Sequence, residues 1–159
     1  MNIRKIEKKD NVELAQVIKS VLKEHGEARP GTVYTDPTTD SLFELFEEDN
    51  SVYWVVEDKS KILGGCGLYP TKGLSENCIE LVKLYLSSDA RGKGVGKLLM
   101  NKCIEYAKQM GYSQVYLETI PALSSAVGLY ESLGFVRLDH PLGDSGHFAC
   151  NVWMLKDLK

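Results

Sequence analysis

The chain has 159 residues, of which 43% are hydrophobic and 26% are charged, a composition typical of one folded domain rather than a disordered segment. Its formal net charge of −3 argues against a general nucleic-acid binder, because such domains are usually basic. No apolar run approaches the roughly 20 residues that cross a bilayer, and the start lacks the apolar segment of a signal peptide. We therefore expect one cytoplasmic domain over residues 1–159, with no nucleic acid and no membrane as partner.

The four cysteines are far apart in the sequence, and no two have the Cys-x-x-Cys spacing of a zinc or redox site. They are Cys66, Cys78, Cys103 and Cys150. We expect reduced, mostly buried thiols and no bound metal.

Apolar spacing and turn residues predict the elements in chain order. A strand at 2–6 is followed by helices at 12–22 and 41–46, strands at 51–57, 62–69 and 80–86, a helix at 95–110, a strand at 114–118, a helix at 124–133 and strands at 135–138 and 152–155. This order predicts an α/β fold with a mixed sheet. Strands 80–86 and 114–118 are expected to be parallel, because a helix connects them.

The stretch Asp89–Met100, DARGKGVGKLLM, places three glycines and three cations in the seven residues 91–97, where the helix at 95–110 begins. A glycine-rich turn at a helix N-terminus binds anions, because free backbone N–H groups and the positive helix end face the ligand. The P-loop pattern fails because Leu98 stands where a hydroxyl residue is needed, and the Rossmann pattern fails in both registers. The pattern R-G-x-G-x-[GA] fits at Arg91–Gly96. The alternative is a solvated basic turn without a ligand.

That pattern resembles the acetyl-coenzyme A loop of the GNAT superfamily of N-acetyltransferases. The preceding strand ELVKLYL resembles the family's fourth strand, and AVGLYESLGF at Ala126–Phe135 resembles its second signature, A-x-x-L-Y-E-x-x-G-F. The resemblance implies the GNAT-like acyl-CoA N-acyltransferase fold, with a mixed, mostly antiparallel sheet flanked by about four helices. It also implies acetyl-coenzyme A as cosubstrate, and it leaves a homodimer open by analogy.

The resemblance further implies where the cofactor would bind. The pyrophosphate would contact the loop, which consists of Arg91, Gly92, Lys93, Gly94, Val95, Gly96 and Lys97. The pantetheine arm would pair as an added strand with the edge formed by Leu84, Tyr85 and Leu86, and a backbone N–H near Leu84 would stabilise an oxyanion. Lys97 is alternatively a solvated lysine on the helix surface.

The second signature departs from the family at one position. Leu123 stands where many members carry an asparagine that binds the pantetheine arm. We expect Ser124 or Ser125 to supply that contact instead, unless the contact is absent.

An amine acceptor needs a base, because a primary alkylamine has a reference pKa of about 10.4 and is protonated at neutral pH. Glu80 opens the strand before the loop, and its position resembles that of the catalytic glutamate in histone-acetylating members. Strict alternation would place its side chain on one face of the strand with that of Leu84. The alternatives are a solvated carboxylate or one paired with Lys83 or Arg137, and Glu118 is the second candidate for the base.

Tyr130 lies in the second signature, where the family places its general acid. A thiol has a reference pKa of about 8.5, so its thiolate leaves readily and the tyrosine would assist without being indispensable. The alternative is a core tyrosine at helical spacing from Ala126.

These residues predict an N-acetyltransferase that acts on an amine acceptor, a small molecule or an amino acid, through a tetrahedral intermediate. A non-catalytic acyl-coenzyme A sensor on the same fold is one alternative, and a protein lysine or N-terminal acetyltransferase is another. The acceptor would be chosen by the loops at 25–40, 69–77 and 139–150, in which Arg29 and His147 are candidate contacts.

Overall fold

The computed structural model describes residues 1–120, 124–146 and 149–158. The strands in these ranges are β1 (Asn2–Lys5), β2 (Val52–Asp58), β3 (Lys61–Tyr69), β4 (Cys78–Leu86), β5 (Gln114–Thr119), β6 (Val136–Leu138) and β7 (Val152–Asp157). The α-helices are α1 (Asn11–Glu24), α2 (Leu42–Leu45), α3 (Val95–Gln109) and α4 (Ser124–Ser132). Every predicted strand and helix is present, and each predicted end lies within two residues of the observed one.

The seven described strands form one sheet in the order β1-β2-β3-β4-β5-β7-β6. Pairing is antiparallel throughout except between β4 and β5, which are parallel. Helix α3 connects these two strands, as a parallel crossover requires. The predicted mixed, mostly antiparallel sheet with about four helices is therefore confirmed.

Helices cover the sheet on both faces, and each face has its own apolar core. Buried residues of α3 and α4 pack on one face in a cluster that includes Leu99, Cys103 and Val127. Buried residues of α1 pack on the other face in a cluster that includes Ile18 and Leu22. Because both faces are covered, the central strands β3 and β4 carry apolar residues at almost every position.

Strand β4 changes the phase of its side chains at Lys83, and this overturns one expectation. Ile79 and Leu81 belong to the core beneath α3 and α4, so Glu80, between them, faces α1. After Lys83, which has a φ of +54°, Leu84 packs against the α3 and α4 core. The expected placement of Glu80 and Leu84 on one face is therefore wrong, because a bulge opposite residues 65–67 of β3 inserts one extra residue.

The described ranges contain no helix with the combined length and apolarity needed to cross a membrane. Within them, no three His, Cys, Asp or Glu side chains come together as ligands for a metal ion. The four cysteines are free; Cys150 is partly buried and the other three are buried. The expected cytoplasmic location and the homodimer stay predictions.

Candidate active site

β4 and β5 separate after their first three paired positions. Residues 78–80 pair with 114–116, and beyond them the described β4 pairs with β3 while β5 pairs with β7. The edge of β4 that faces β5 is thus open over residues 81–86. The opening widens into a cleft of about 640 Å³, here called the main cleft, and such a volume is typical of a small-molecule site.

Most of the predicted cofactor contacts line the main cleft. They are Leu84, Tyr85 and Leu86 of β4, and Arg91, Gly92, Gly94, Val95, Gly96 and Lys97 of the glycine loop and α3. Lys93 does not join them, because it lines a separate surface hollow with Lys61 and Asp89. Ser124 and Ser125 begin α4, and their side chains lie outside the described part of the chain, as does Leu123.

The glycine loop has the backbone of an anion-binding turn. Gly92 and Gly94 have φ values of +73° and +75°, and a Cβ at either position would have no atom within 4 Å. The left-handed backbone, rather than crowding, therefore favours glycine at these positions. Gly94 is the N-cap of α3 and, as a glycine, has no side chain to cap this helix end, so the first N–H groups of α3 can be offered to an anion.

Gly96 has a different role from the two preceding glycines. A Cβ at this position would lie 3.3 Å from a Leu129 methyl group. Its missing side chain therefore allows α3 to approach α4, which brings the second signature against the glycine loop.

Arg91 joins the glycine loop to two neighbouring elements. Its guanidinium forms a two-pronged ion pair with Glu24 in the last turn of α1, at 2.6 and 3.2 Å, and its Nε donates to the Leu86 carbonyl at 3.1 Å. The ion pair holds the pKa of Glu24 below its usual value. Val21 and His25 of the same helix end also line the main cleft, so Arg91 fixes α1 as one of its walls.

A second and smaller cavity, here called the side cavity, adjoins the main cleft. Its volume is about 40 Å³. The two share five lining residues: Leu81, Lys83, Tyr85, Glu118 and Thr119. Of these two cavities Glu80 lines the side cavity alone, because it lies between Ile79 and Leu81 and so faces α1. A ligand in the main cleft and one in the side cavity would thus meet at the open edge of β4.

Glu80 is a buried carboxyl group with 3% of its surface exposed. Burial raises its pKa to about 8, the charge of Glu118 adds to that rise, and the Thr71 hydrogen bond and Lys83 oppose it. The Thr71 hydroxyl donates to Oε1 at 2.5 Å. Such a carboxyl group exchanges a proton near neutral pH, which is the property of a general base. The alternative of a solvated carboxylate is wrong, because the strand is covered on both faces.

Glu118 at the end of β5 holds a loop over the site. It accepts hydrogen bonds from the Tyr116 hydroxyl at 2.7 Å and from the Ser145 hydroxyl. The Tyr116 oxygen in turn accepts from the Leu142 backbone N–H at 3.0 Å. Both carboxylates thus border the side cavity, but Glu118 alone also borders the main cleft.

Lys83 occupies the junction of the two cavities. Its side chain is 4% exposed and its Nζ lies 3.6 Å from Asp36, while burial lowers its pKa. Its strained backbone is supported by Tyr53, whose hydroxyl donates to the Lys83 carbonyl at 2.8 Å. Gly65 and Gly67 make room for the Tyr53 ring, since a Cβ at either would lie within 2.6 Å of it.

Of the other predicted site residues, Tyr130 lines the main cleft and Arg29 lies outside both cavities. Tyr130 is buried, lines the main cleft and packs edge-on against Phe135 with ring centroids 6.2 Å apart; burial raises its pKa. It is thus a core tyrosine that also borders the cleft. Arg29 pairs with Glu27 at 2.6 Å and lines neither cavity. His147 lies outside the described residues.

Three residues of this site were missed by the sequence analysis as functional positions: Glu24, Lys83 and Asp36. The lysine had a weak signal, because it is a cation within a strand whose other residues, apart from Glu80, are apolar. Glu24 and Asp36 had no such signal. The partner of Glu24 is 67 residues away in the sequence, and both ion pairs depend on how α1 and the following loop fold over β4.

Comparison with known proteins identifies the family. Residues 18–135 match the profile described as the acetyltransferase (GNAT) family. The chain is 39% identical over 157 residues to the uncharacterized N-acetyltransferase YjgM of Escherichia coli, an alignment that covers 98% of this chain and 94% of YjgM. The chain belongs to the GNAT acetyltransferase family. The predicted enzyme class is thereby confirmed.

Solved structures of other proteins share the fold. An acetyltransferase of Staphylococcus aureus matches with a TM-score of 0.87 at 23% identity, and the match covers 99% of both chains. The yncA protein of Salmonella typhimurium matches with a TM-score of 0.74 at 19% identity, over 100% of this chain and 94% of that one. The yncA structure contains its cofactor acetyl-CoA.

Proposed function

We propose that this acetyltransferase moves the acetyl group of acetyl-coenzyme A to a primary amine by direct attack. The observation that carries the proposal is the junction of the main cleft with the side cavity at the open edge of β4. On one side of this junction lies the N-terminus of α3, whose N-cap is a glycine and which suits a pyrophosphate. On the other side lie two carboxyl groups, the buried one of Glu80 and the partly buried one of Glu118, which suit an ammonium group and its proton.

The main cleft fits acetyl-coenzyme A by its chemistry. The N–H groups at Gly94 and the start of α3, with Lys97, would bind the pyrophosphate. The open edge of β4 at Leu84–Leu86 offers backbone groups to the two amides of the pantetheine arm. Bound there, the cosubstrate supplies a thioester to the junction, where a backbone N–H near Leu84 would stabilise the developing oxyanion.

The protons have a defined route in this proposal. Glu80 takes one proton from the acceptor ammonium, and its pKa of about 8 suits that exchange near neutral pH. As the amine nitrogen bonds to the acetyl carbon, the carbon–sulfur bond breaks and the departing sulfur takes a proton from Tyr130. The second proton that the nitrogen loses restores Tyr130, and the proton held by Glu80 passes to solvent. Glu118 is the second candidate for the base, because it borders both cavities.

Replacement of Tyr130 by phenylalanine should lower kcat by about tenfold or less, with little change in the KM for the amine. The effect is small because a thiolate with a reference pKa of about 8.5 leaves readily without help. Steady-state thiol release measures both constants. A loss of affinity for coenzyme A without a change in kcat would instead indicate a purely structural role.

The Arg91–Glu24 ion pair allows a second test. Replacement of Glu24 by glutamine should tighten coenzyme A binding up to about fivefold at low salt, because Arg91 would then be free for the phosphates, and the gain should shrink at high salt. Calorimetric titration measures it, and Glu105→Gln, which breaks an exposed pair with Lys108 on α3, is the control. Weaker binding by Glu24→Gln would show instead that the pair holds the cleft wall in place.

Two other functions remain for the same site. A non-catalytic acyl-coenzyme A sensor would bind coenzyme A tightly, yet no amine would accelerate thiol release. A protein lysine or N-terminal acetyltransferase would use peptides in preference to small amines. Calorimetric titration with coenzyme A, followed by thiol release over a panel of amines and peptides, separates the three, and absence of coenzyme A binding would overturn them all.

A further inference from the structure

The side cavity restricts which amine can reach the junction, and its volume gives the first limit. On this measure a single water needs about 10–15 Å³, so about 40 Å³ holds roughly three atoms the size of water. Only the end of an acceptor enters such a space.

The charges around the side cavity give a second limit. The two nearby cations each have a carboxylate partner, since Lys83 pairs with Asp36 and Arg29 pairs with Glu27. In the part of the chain that the structure describes, Glu80 and Glu118 form no ion pair and accept hydrogen bonds only from neutral hydroxyl groups. Glu80 and Glu118 therefore share this small cavity with Lys83, whose ammonium group already pairs with Asp36. A cavity in which the carboxyl groups are not matched by free cations favours a positively charged ligand.

The uncharged part of the wall gives the third limit. Leu81, Val82 and Tyr85 of β4, together with Ile120, line the side cavity beside the two carboxyl groups. Apolar walls suit methylene groups. These walls offer no unpaired cation to an acceptor that carries a carboxylate next to its amine. Burial of that carboxylate without a partner is costly.

We infer that the acceptor is an unbranched aliphatic chain ending in a primary ammonium group, which enters the side cavity between Glu80 and Glu118. This inference rests on the proposed acetyl transfer and names its substrate class. Free diamines and lysine side chains share this chemistry. Amines on a branched carbon, including the α-amine of an amino acid, are excluded by the size of the cavity and by the lack of a free cation.

A matched panel of amines tests the inference on the wild-type enzyme with acetyl-coenzyme A. The kcat/KM for hexylamine and for cadaverine should be at least about tenfold higher than that for norleucine amide. The kcat/KM for hexylamine should also be at least about tenfold higher than that for its isomer with the amine on the second carbon. Lysine amide blocked at the α-amine should likewise have a higher kcat/KM than lysine amide blocked at the side-chain amine. Comparison of cadaverine with the lysine amide blocked at the α-amine separates a free diamine from a lysine side chain.

Two different failures are distinguishable in this panel. An equal or reversed preference, with thiol release that depends on the amine, would overturn the inference and leave the proposed function intact. Thiol release that no amine accelerates, despite tight coenzyme A binding, would overturn both.

A variant of Glu118 adds a readout at the residue level. Glu118→Gln should raise the KM for the best unbranched amine about tenfold while kcat changes less, because a neutral amide binds the ammonium group weakly. Glu118→Asp should recover part of the loss, and Glu105→Gln on the outer surface of α3 should leave KM unchanged. An unchanged KM in Glu118→Gln would overturn the assigned position of the ammonium group, and the amine panel decides the acceptor class even if this variant fails to fold.

Discussion

Replacement of Glu80 by glutamine should lower kcat roughly a hundredfold to ten-thousandfold, the range typical of a lost general base. Glutamine has nearly the same shape and can still accept the hydrogen bond of Thr71, but it cannot take the proton of the acceptor ammonium. Thiol release at saturating acetyl-coenzyme A and amine measures the effect. Binding of coenzyme A should be unchanged, since Glu80 does not line the main cleft.

The pH dependence distinguishes this loss from a structural one. Because the pKa of Glu80 is raised to about 8, the basic form accumulates as pH rises, so wild-type kcat should increase with pH and level off above about 8. The residual activity of Glu80→Gln should lack this step. If the step persists in Glu80→Gln and disappears in Glu118→Gln, the base is Glu118.

The folding stability of the same variant is the control. A carboxyl group with a raised folded-state pKa binds its proton more tightly in the folded state, so wild-type stability falls as pH rises from about 4.5, the ordinary value, through about 8. The glutamine variant lacks this loss and should be at least as stable as wild type at pH above about 8. Denaturant unfolding at two pH values checks it, and a less stable variant there would argue against the buried state of Glu80.

The sequence was sufficient for the parts of the site that depend on local backbone. The order of elements follows from apolar spacing, and the anion-binding turn follows from glycines at positions that proved left-handed at Gly92 and Gly94. Tyr130, which the second signature marks, lines the main cleft, and its role as general acid stays a prediction.

The sequence was insufficient where one residue changes the geometry of a strand. A strict alternation assigns Glu80 and Leu84 to one face, whereas the bulge at Lys83 separates them. Bulges depend on the partner strand, here on Gly65 and Gly67 and on the Tyr53 ring above them, and no pattern within β4 alone encodes this. The consequence is functional, because the bulge places Leu84 on the opposite face from Glu80, which lines the side cavity.

Ion pairs between residues distant in the sequence could not be predicted either. The motif predicts Arg91 as a phosphate ligand, but in the folded chain its charge is already matched by Glu24. Lys93 appeared equivalent to Lys97, yet the two line different cavities. Which of several cations in a short loop faces a ligand is decided by the backbone turn and by neighbours distant in sequence.

The second large effect is expected at the N-cap of α3, where Gly94→Val should weaken coenzyme A binding about a hundredfold. Valine opposes the left-handed φ of +75° at a cost of about 1–2 kcal/mol, and relief of that strain would turn the first N–H groups of α3 away from the pyrophosphate. Each lost hydrogen bond to a charged group costs about 1.5–3 kcal/mol. Calorimetric titration with coenzyme A measures the change.

Gly111 provides a matched control for this variant. It follows the C-terminal end of the same helix with a φ of +88°, and, as at Gly94, a Cβ there would have no atom within 4 Å. Gly111→Val should therefore destabilise the fold by a similar amount, measured by denaturant unfolding, while coenzyme A binding stays at the wild-type value. Equal loss of affinity in both variants would assign the effect to general destabilisation, and wild-type affinity in Gly94→Val would contradict the assignment of the glycine loop to the pyrophosphate.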